Sequence, residues 1–177
     1  MILTVDDIAG MLDLSCVKTT SSKLDIQELA EQAKRYRVGQ VSVLQCFVPL
    51  MKRLVGSHQG IKVVGNVSFP SGSDSTSLKV AQTKELVRSG CDELDMVMNI
   101  GKLRSGDDDE VEEDIRAVIE AAGCVPVKVI IETPYLNPDE VKRACEISIR
   151  SGASFVKTGS GWAPRGTTLE DVKLVKS

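Results

Sequence analysis

Lys157 stands in Ala153-Ser154-Phe155-Val156-Lys157-Thr158 and is followed at once by Gly159-Ser160-Gly161. The run reads as a short strand opening into a glycine loop. Burial disfavours an ammonium ion, so a lysine held at such a strand end is expected to titrate below its ordinary value of about 10.4. The neutral amine is a nucleophile toward carbonyl carbon and the usual route to a Schiff base. The same segment also fits a lysine whose stem packs while its head reaches water. Three further charged residues sit on strand-like runs: Asp95 in Asp92-Glu93-Leu94-Asp95-Met96-Val97, and Lys128 and Glu132 in Pro126-Val127-Lys128-Val129-Ile130-Ile131-Glu132. Alternation sets Asp95 against Leu94 and Met96. It puts Lys128 and Glu132 on one face, and Phe155 and Lys157 opposite Val156. Buried charges are paired or hydrogen-bonded, so these groups are expected to meet, as a satisfied polar layer or as an imine-forming site. Two lysines and two acids in one interior favour catalysis.

The elements that must position them alternate along the chain. Short runs rich in Val and Ile predict strands over Met11–Val17, Gln40–Leu44, Lys62–Phe69, Glu93–Met98, Val127–Glu132 and Ser154–Thr158. Amphipathic stretches predict helices over Ile26–Tyr36, Pro49–Leu54, Thr76–Ser89, Asp109–Ala122, Pro138–Arg150 and Thr168–Lys176, several closed by glycine. Alternating β and α elements imply an α/β fold with a parallel sheet. A dinucleotide fold would need G-x-G-x-x-G after the first strand, and the sequence has none. Polar residues instead recur near strand ends, at Asp13, Ser42, Asp95, Lys128, Glu132 and Lys157, as on the active-site rim of a (β/α)8 barrel. The tract Asp107-Asp108-Asp109-Glu110 reads as a solvated helix start that complements the helix dipole.

With 177 residues, the chain is long enough for a single domain over 1–177 with a real core. A net charge of −3 with interspersed signs, and 3% aromatic residues, give no footprint for nucleic acid. No apolar run approaches the roughly 20 residues that a membrane helix needs. The N-terminus lacks the basic and long apolar regions of a signal peptide. Cys16, Cys46, Cys91, Cys124 and Cys145 are scattered singly, which fits reduced thiols of the cytoplasm, mostly as small core residues. The one histidine, His58, reads as a solvated turn residue, so a His-based triad or His-rich metal site is not expected. Acid–base work falls to Lys, Asp, Glu, hydroxyls and water.

Three segments resemble the signatures of deoxyribose-phosphate aldolases: Asp92-Glu93-Leu94-Asp95-Met96-Val97-Met98-Asn99-Ile100-Gly101, Lys128-Val129-Ile130-Ile131-Glu132-Thr133 and Phe155-Val156-Lys157-Thr158-Gly159-Ser160-Gly161. The resemblance extends to Leu12-Asp13-Leu14-Ser15 and Ser68-Phe69-Pro70-Ser71-Gly72, with spacing retained over essentially the whole chain. It implies a class I aldolase with a (β/α)8 TIM-barrel fold, of which about six β/α units are present. By the same resemblance Lys157 is the Schiff-base lysine, Asp95 the acid–base group acting through water, Lys128 a polar neighbour of the nucleophile and Asp13 a support of the proton relay. Ser42, Thr158 and Gly161 are implied as substrate-binding, Gly161 near the substrate phosphate. The implied reaction cleaves 2-deoxy-D-ribose 5-phosphate to glyceraldehyde 3-phosphate and acetaldehyde, without metal or cofactor. The implied partners are sugar phosphates and aldehydes, with a homo-oligomer possible.

The sequence also departs from the family pattern. Ser42 stands where cysteine is common, Leu44-Gln45 where Asn-Pro is common, Gly159 where serine is usual, and Pro134 where glycine is common. These bear on substrate preference more than on reaction type. The family places a second lysine, which helps lower the nucleophile's pKa, in a glycine-rich segment on a seventh strand. The sequence given stops at Ser177, in the helix before it, so impaired turnover is expected. Six strands alone would leave unpaired edges. The sequence-level readings are therefore a piece of a longer product, a sheet completed by an oligomer, or a non-catalytic assembly module. An aldolase for a different aldehyde pair is the other enzymatic reading.

Overall fold

In a computed structural model, residues 2–56 and 60–177 are described; His58 lies outside them. The elements run α1 (Val5–Gly10), β1 (Asp13–Cys16), α2 (Lys23–Tyr36), β2 (Gln40–Val43), α3 (Val48–Val55), β3 (Lys62–Val67), α4 (Thr76–Arg88), β4 (Glu93–Val97), α5 (Ile100–Ser105), α6 (Asp108–Ala122), β5 (Val127–Ile130), α7 (Pro138–Arg150), β6 (Phe155–Lys157) and α8 (Leu169–Lys176). Single turns of 3-10 helix cover Gln45–Phe47 and Thr133–Tyr135.

All six expected strands and all six expected helices are present, and α1 and α5 are additional. Both are six-residue helices, too short for a periodic apolar stripe, and each rests on its cap. Thr4 and Asp7 form a reciprocal capping box at α1, while the Asn99 side chain accepts from the Lys102 amide at α5. The same reciprocal box, a polar residue and an acid three residues on, starts α2 (Ser22, Asp25), α7 (Asn137, Glu140) and α8 (Thr168, Asp171). Asp108, Asp109 and Glu110 occupy the first turn of α6, as expected of a helix start.

Each strand ends one or two residues earlier than expected, and the two that lose two residues do so for one reason. Ser68 (φ 54°) and Glu132 (φ 53°) adopt left-handed backbone conformations, which break the extended run after Val67 and after Ile130.

The described chain forms two compact units, one of residues 1–66 and 86–93, the other of residues 67–85 and 94–177. In the first, β1, β2 and β3 are parallel, with Asp13 opposite Gln40 and Ser42 opposite Val64. Val41, Val43, Val63 and Val64 are fully buried, as are Ile26 and Ala33 of α2 and Met51 of α3. Gly39 is required here by close approach: a Cβ would lie 2.1 Å from the Gly10 carbonyl oxygen.

In the second unit β4, β5 and β6 are parallel, with Asp95 opposite Lys128 and Lys128 opposite Phe155. Leu94, Met96, Val129, Ile130, Ile115 of α6 and Ile147 of α7 are fully buried. Burial of such a side chain is worth about 1.5–3 kcal/mol, so these strands are fixed by their apolar neighbours before their charged residues are considered.

The cysteines differ from expectation. All five are unpaired, but only Cys91 is buried, Cys16 and Cys145 are half-buried, and Cys46 and Cys124 are exposed. A small polarizable side chain is tolerated at the surface as well as inside, so composition alone did not place them. Burial, with Asp92 adding to it, pushes the Cys91 thiol up to about 12. Among the described residues no helix is long and apolar enough to cross a membrane.

Candidate active site

Asp95 lies in the middle of β4 and is fully buried. A carboxylate at such a position needs cations or donors around it, because desolvation otherwise drives it to the neutral acid. Two lysines supply them. Lys157 Nζ donates to Asp95 Oδ2 at 2.5 Å, and Lys128 Nζ stands 3.7 Å from Oδ1. The register explains the reach. Asp95, Lys128 and Phe155 form one row across the three strands, and Val97, Ile130 and Lys157 form the row two residues further, beyond Met96, Val129 and Val156. Lys157 reaches back across that two-residue offset, which its four-carbon stem allows.

The two lysines differ in surroundings. Lys128 is the more enclosed, 12% exposed at its side chain, with its ammonium 5.7 Å from the centroid of the Phe155 ring. That is within the range of a cation–π attraction. Lys157 is 32% exposed at its side chain, so its amine is both held and reachable. At about 4 Å and an effective dielectric constant near 20, a pair of unit charges attracts by about 4 kcal/mol before desolvation is subtracted. Asp95 therefore owes its buried position to both partners. The resulting unit is one carboxylate between two amines, one of them accessible, an arrangement able to move a proton onto or off a nitrogen at Lys157.

The backbone beyond Lys157 is tied to the end of β5. The Ile131 amide donates to the Lys157 carbonyl at 3.0 Å, and the Thr133 amide to the Thr158 carbonyl at 2.8 Å. Thr158 Oγ1 shares a hydrogen bond with Thr167 Oγ1 at 3.0 Å. Gly161 has φ 81°, a conformation that favours glycine, and a Cβ there would meet nothing within 4 Å.

Glu132 corrects the alternation expected from the sequence. It was expected to share the face of Lys128, but its left-handed backbone ends the two-residue period. Its carboxylate instead accepts the Ser160 amide, at 3.1 Å and 3.2 Å to its two oxygens, and the Ser160 hydroxyl.

Asp13 and Ser42 lie in the first unit. Asp13 opens β1 half-buried. Ser42 is buried in β2, where its Oγ accepts from Asn66 Nδ2 at 3.1 Å; the same nitrogen donates to the Val43 carbonyl at 2.9 Å. No pattern in the sequence marks a buried lysine on a helix. Lys79 of α4 is fully buried, donating to Asp114 Oδ2 of α6 at 2.5 Å and to the Val97 carbonyl at 3.2 Å. Trp162 was also passed over; its ring meets Phe69 edge-on at 6.3 Å.

Comparison with known proteins identifies the family. The family model described as "DeoC/LacD family aldolase" matches residues 3–177. The deoxyribose-phosphate aldolase of Klebsiella pneumoniae is 44% identical over 97% of this chain and 70% of its own length. A solved aldolase named QR15 superposes with a TM-score of 0.91 at 38% identity, over 96% of this chain and 76% of its own. The deoxyribose phosphate aldolase of Aeropyrum pernix, described as a tetramer, shares the fold with a TM-score of 0.88 at 21% identity, over 97% of this chain and 72% of its own. The architecture is thus α/β of the (β/α)8 barrel type, with six of the β/α units in this sequence. The chain belongs to the DeoC/LacD family of aldolases, and is a class I aldolase, a carbon–carbon lyase.

Proposed function

We propose that the chain performs Schiff-base retro-aldol cleavage of 2-deoxy-D-ribose 5-phosphate, with Lys157 as the nucleophile. The observation that carries this reading is the 2.5 Å contact between the amine of the partly exposed Lys157 side chain and the buried Asp95 carboxylate, with Lys128 near the other oxygen. Asp95 is placed to take the Lys157 proton and free the nitrogen lone pair. The amine adds to C1 of the open-chain sugar, and the carbinolamine loses its hydroxyl as water with a proton returned by Asp95. The protonated imine then draws the electrons of the C2–C3 bond as the C3 hydroxyl gives its proton through water to Asp95. Glyceraldehyde 3-phosphate leaves, the same proton is returned through water to C2 of the enamine, and water adds to the resulting imine to release acetaldehyde and the amine. Lys128 stands as a second cation beside the other Asp95 oxygen, 3.7 Å away.

Thr158 and Gly161 follow the nucleophile directly and are proposed as substrate-binding groups. Asp13 and Ser42 keep the assignments that the resemblance gives them, relay support and substrate binding. The reading places the enzyme in the cytoplasm and allows a homo-oligomer, which light scattering measures.

Trapping tests the central claim. Borohydride added with 2-deoxyribose 5-phosphate or acetaldehyde is expected to leave a reduced adduct mapped to Lys157 by mass spectrometry. Folded protein without an adduct at Lys157 would refute the assignment.

A further inference from the structure

A buried carboxylate beside the site has no part in the proton transfers above. Glu132 is 2% exposed, and its oxygens accept hydrogen bonds from the amide and hydroxyl of one residue, Ser160. Bonds from neutral donors to a carboxylate are roughly twice as strong as those between neutral groups. Glu132 also holds a left-handed backbone, φ 53° and ψ 61°, a conformation that is strained for a non-glycine residue. Such a conformation persists where the surroundings over-determine it. Here the two residues flanking Glu132 bond to Lys157 and Thr158, so the backbone on both sides of Glu132 is tied to the nucleophile's own strand end.

The contact runs further along the loop. Ser160 Oγ, donating to Glu132, accepts in turn from the Trp162 amide at 3.1 Å. Gly159 lies close by: a Cβ there would come within 2.9 Å of Glu132 Oε1, the movable end of that side chain. A cleft of about 490 Å³ adjoins this loop, walled by Pro70, Arg104, Tyr135 and Trp162, with Glu132 and Ser160 among its lining residues. The contact that fastens the loop therefore borders the cleft.

We propose that Glu132 is a positioning residue: through Ser160 it sets the 159–162 loop in the conformation that receives the anionic end of the substrate. The proposal rests on the aldolase reading for the identity of the nucleophile and the substrate. Glu132 touches no reacting atom in this scheme. Its side chain acts on the Ser160 amide and hydroxyl, and these fix the backbone that leads from Lys157 to Gly161. A glutamine would keep one acceptor oxygen but turn an NH2 group toward donors, so it would hold the loop only in part.

Two measurements on the same proteins test it. Hydrogen exchange is expected to show the Ser160 amide exchanging at least tenfold faster in Glu132→Ala than in the unsubstituted chain, with Glu132→Gln between them. In borohydride trapping at Lys157, Glu132→Ala is expected to raise the half-saturating concentration of 2-deoxyribose 5-phosphate tenfold or more, and that of unphosphorylated 2-deoxyribose less than threefold. A purely structural role would lower the melting temperature and shift both sugars alike. Unchanged exchange at Ser160, or equal shifts for the two sugars, would overturn the proposal. Should Glu132→Ala not fold, Glu132→Gln and Ser160→Ala carry the same two measurements. If the unsubstituted chain traps neither sugar, the aldolase reading fails, while Ser160 exchange still decides whether Glu132 sets the loop.

Discussion

Two lysines in this molecule each meet an aspartate at 2.5 Å, and the two pairs have different consequences. Lys79 and Asp114 are sealed, with side chains 0% and 4% exposed. Thr76 donates to the remaining Asp114 oxygen at 2.9 Å, and the Val97 carbonyl takes another Lys79 proton. Lys157 and Asp95 share the same contact, but there the amine is one-third exposed and the carboxylate carries a second cation, Lys128. A closed pair with a neutral donor and a neutral acceptor around it ties α4 to α6 and the end of β4. An open pair with a spare cation leaves an amine that can be reached by a carbonyl carbon. What separates structural support from reactivity is therefore access to the nitrogen, not the distance to its acid.

The largest effect expected is on adduct formation. Lys157→Met should abolish the trapped adduct while the protein keeps its fold, whereas Lys79→Met should leave trapping at Lys157 detectable in whatever fraction is folded. Next, Asp95→Asn is expected to slow adduct formation by about 10²-fold or more, the usual scale of a lost acid–base group, as followed by rapid-quench trapping. An equal loss in Asp114→Asn would erase the distinction between the pairs.

Stability should reverse the order. Breaking a buried pair by removing one partner costs about 3–5 kcal/mol, because the other charge is left uncompensated. Lys79→Met is expected to lose that much in urea unfolding, and Lys79→Met with Asp114→Leu to recover part of it. Lys157→Met should lose less, since Lys128 remains beside Asp95.

The smallest effect is a pH dependence. Burial pushes the Lys79 ammonium below its ordinary 10.5, against the pull of Asp114. Between that lowered value and 10.5 the unfolded chain holds more protons than the folded one, so this group makes stability rise with pH across that window. Below the window both states are protonated and the group adds no slope. Urea midpoints from pH 8 upward should therefore show an upward contribution that Lys79→Met lacks.

The sequence made one of these pairs legible and hid the other. Asp95, Lys128 and Lys157 sit on strands, where a two-residue period says which side chains share a face, and the structure brings all three together. Lys79 sits on a helix whose buried face carries Lys79, Thr83 and Leu86 while Leu78 is 55% exposed. Hydrophobicity points such a helix the wrong way, since only the distant Asp114 makes burial of the lysine tolerable. Glu132 escaped for a different reason. One left-handed residue ends the period on which alternation depends, and nothing in Ile131-Glu132-Thr133 marks that turn. Gly159 adds no mark either, since a Cβ there would press only on the movable end of the Glu132 side chain.

The distances along the chain between partners also set an order in time. The capping boxes of α1, α2, α7 and α8 join residues three apart, so each can close as soon as its own turn leaves the ribosome. Lys157 and Asp95 are 62 residues apart, and Lys79 and Asp114 are 35 apart. During synthesis the buried Asp114 can thus find its lysine long before Asp95 meets Lys157. Asp95 must meanwhile wait for Lys128 or stay in water. A nascent chain halted before residue 157 would have every strand needed to hold the carboxylate except the one that brings the amine, so competence for chemistry arrives as a single late event.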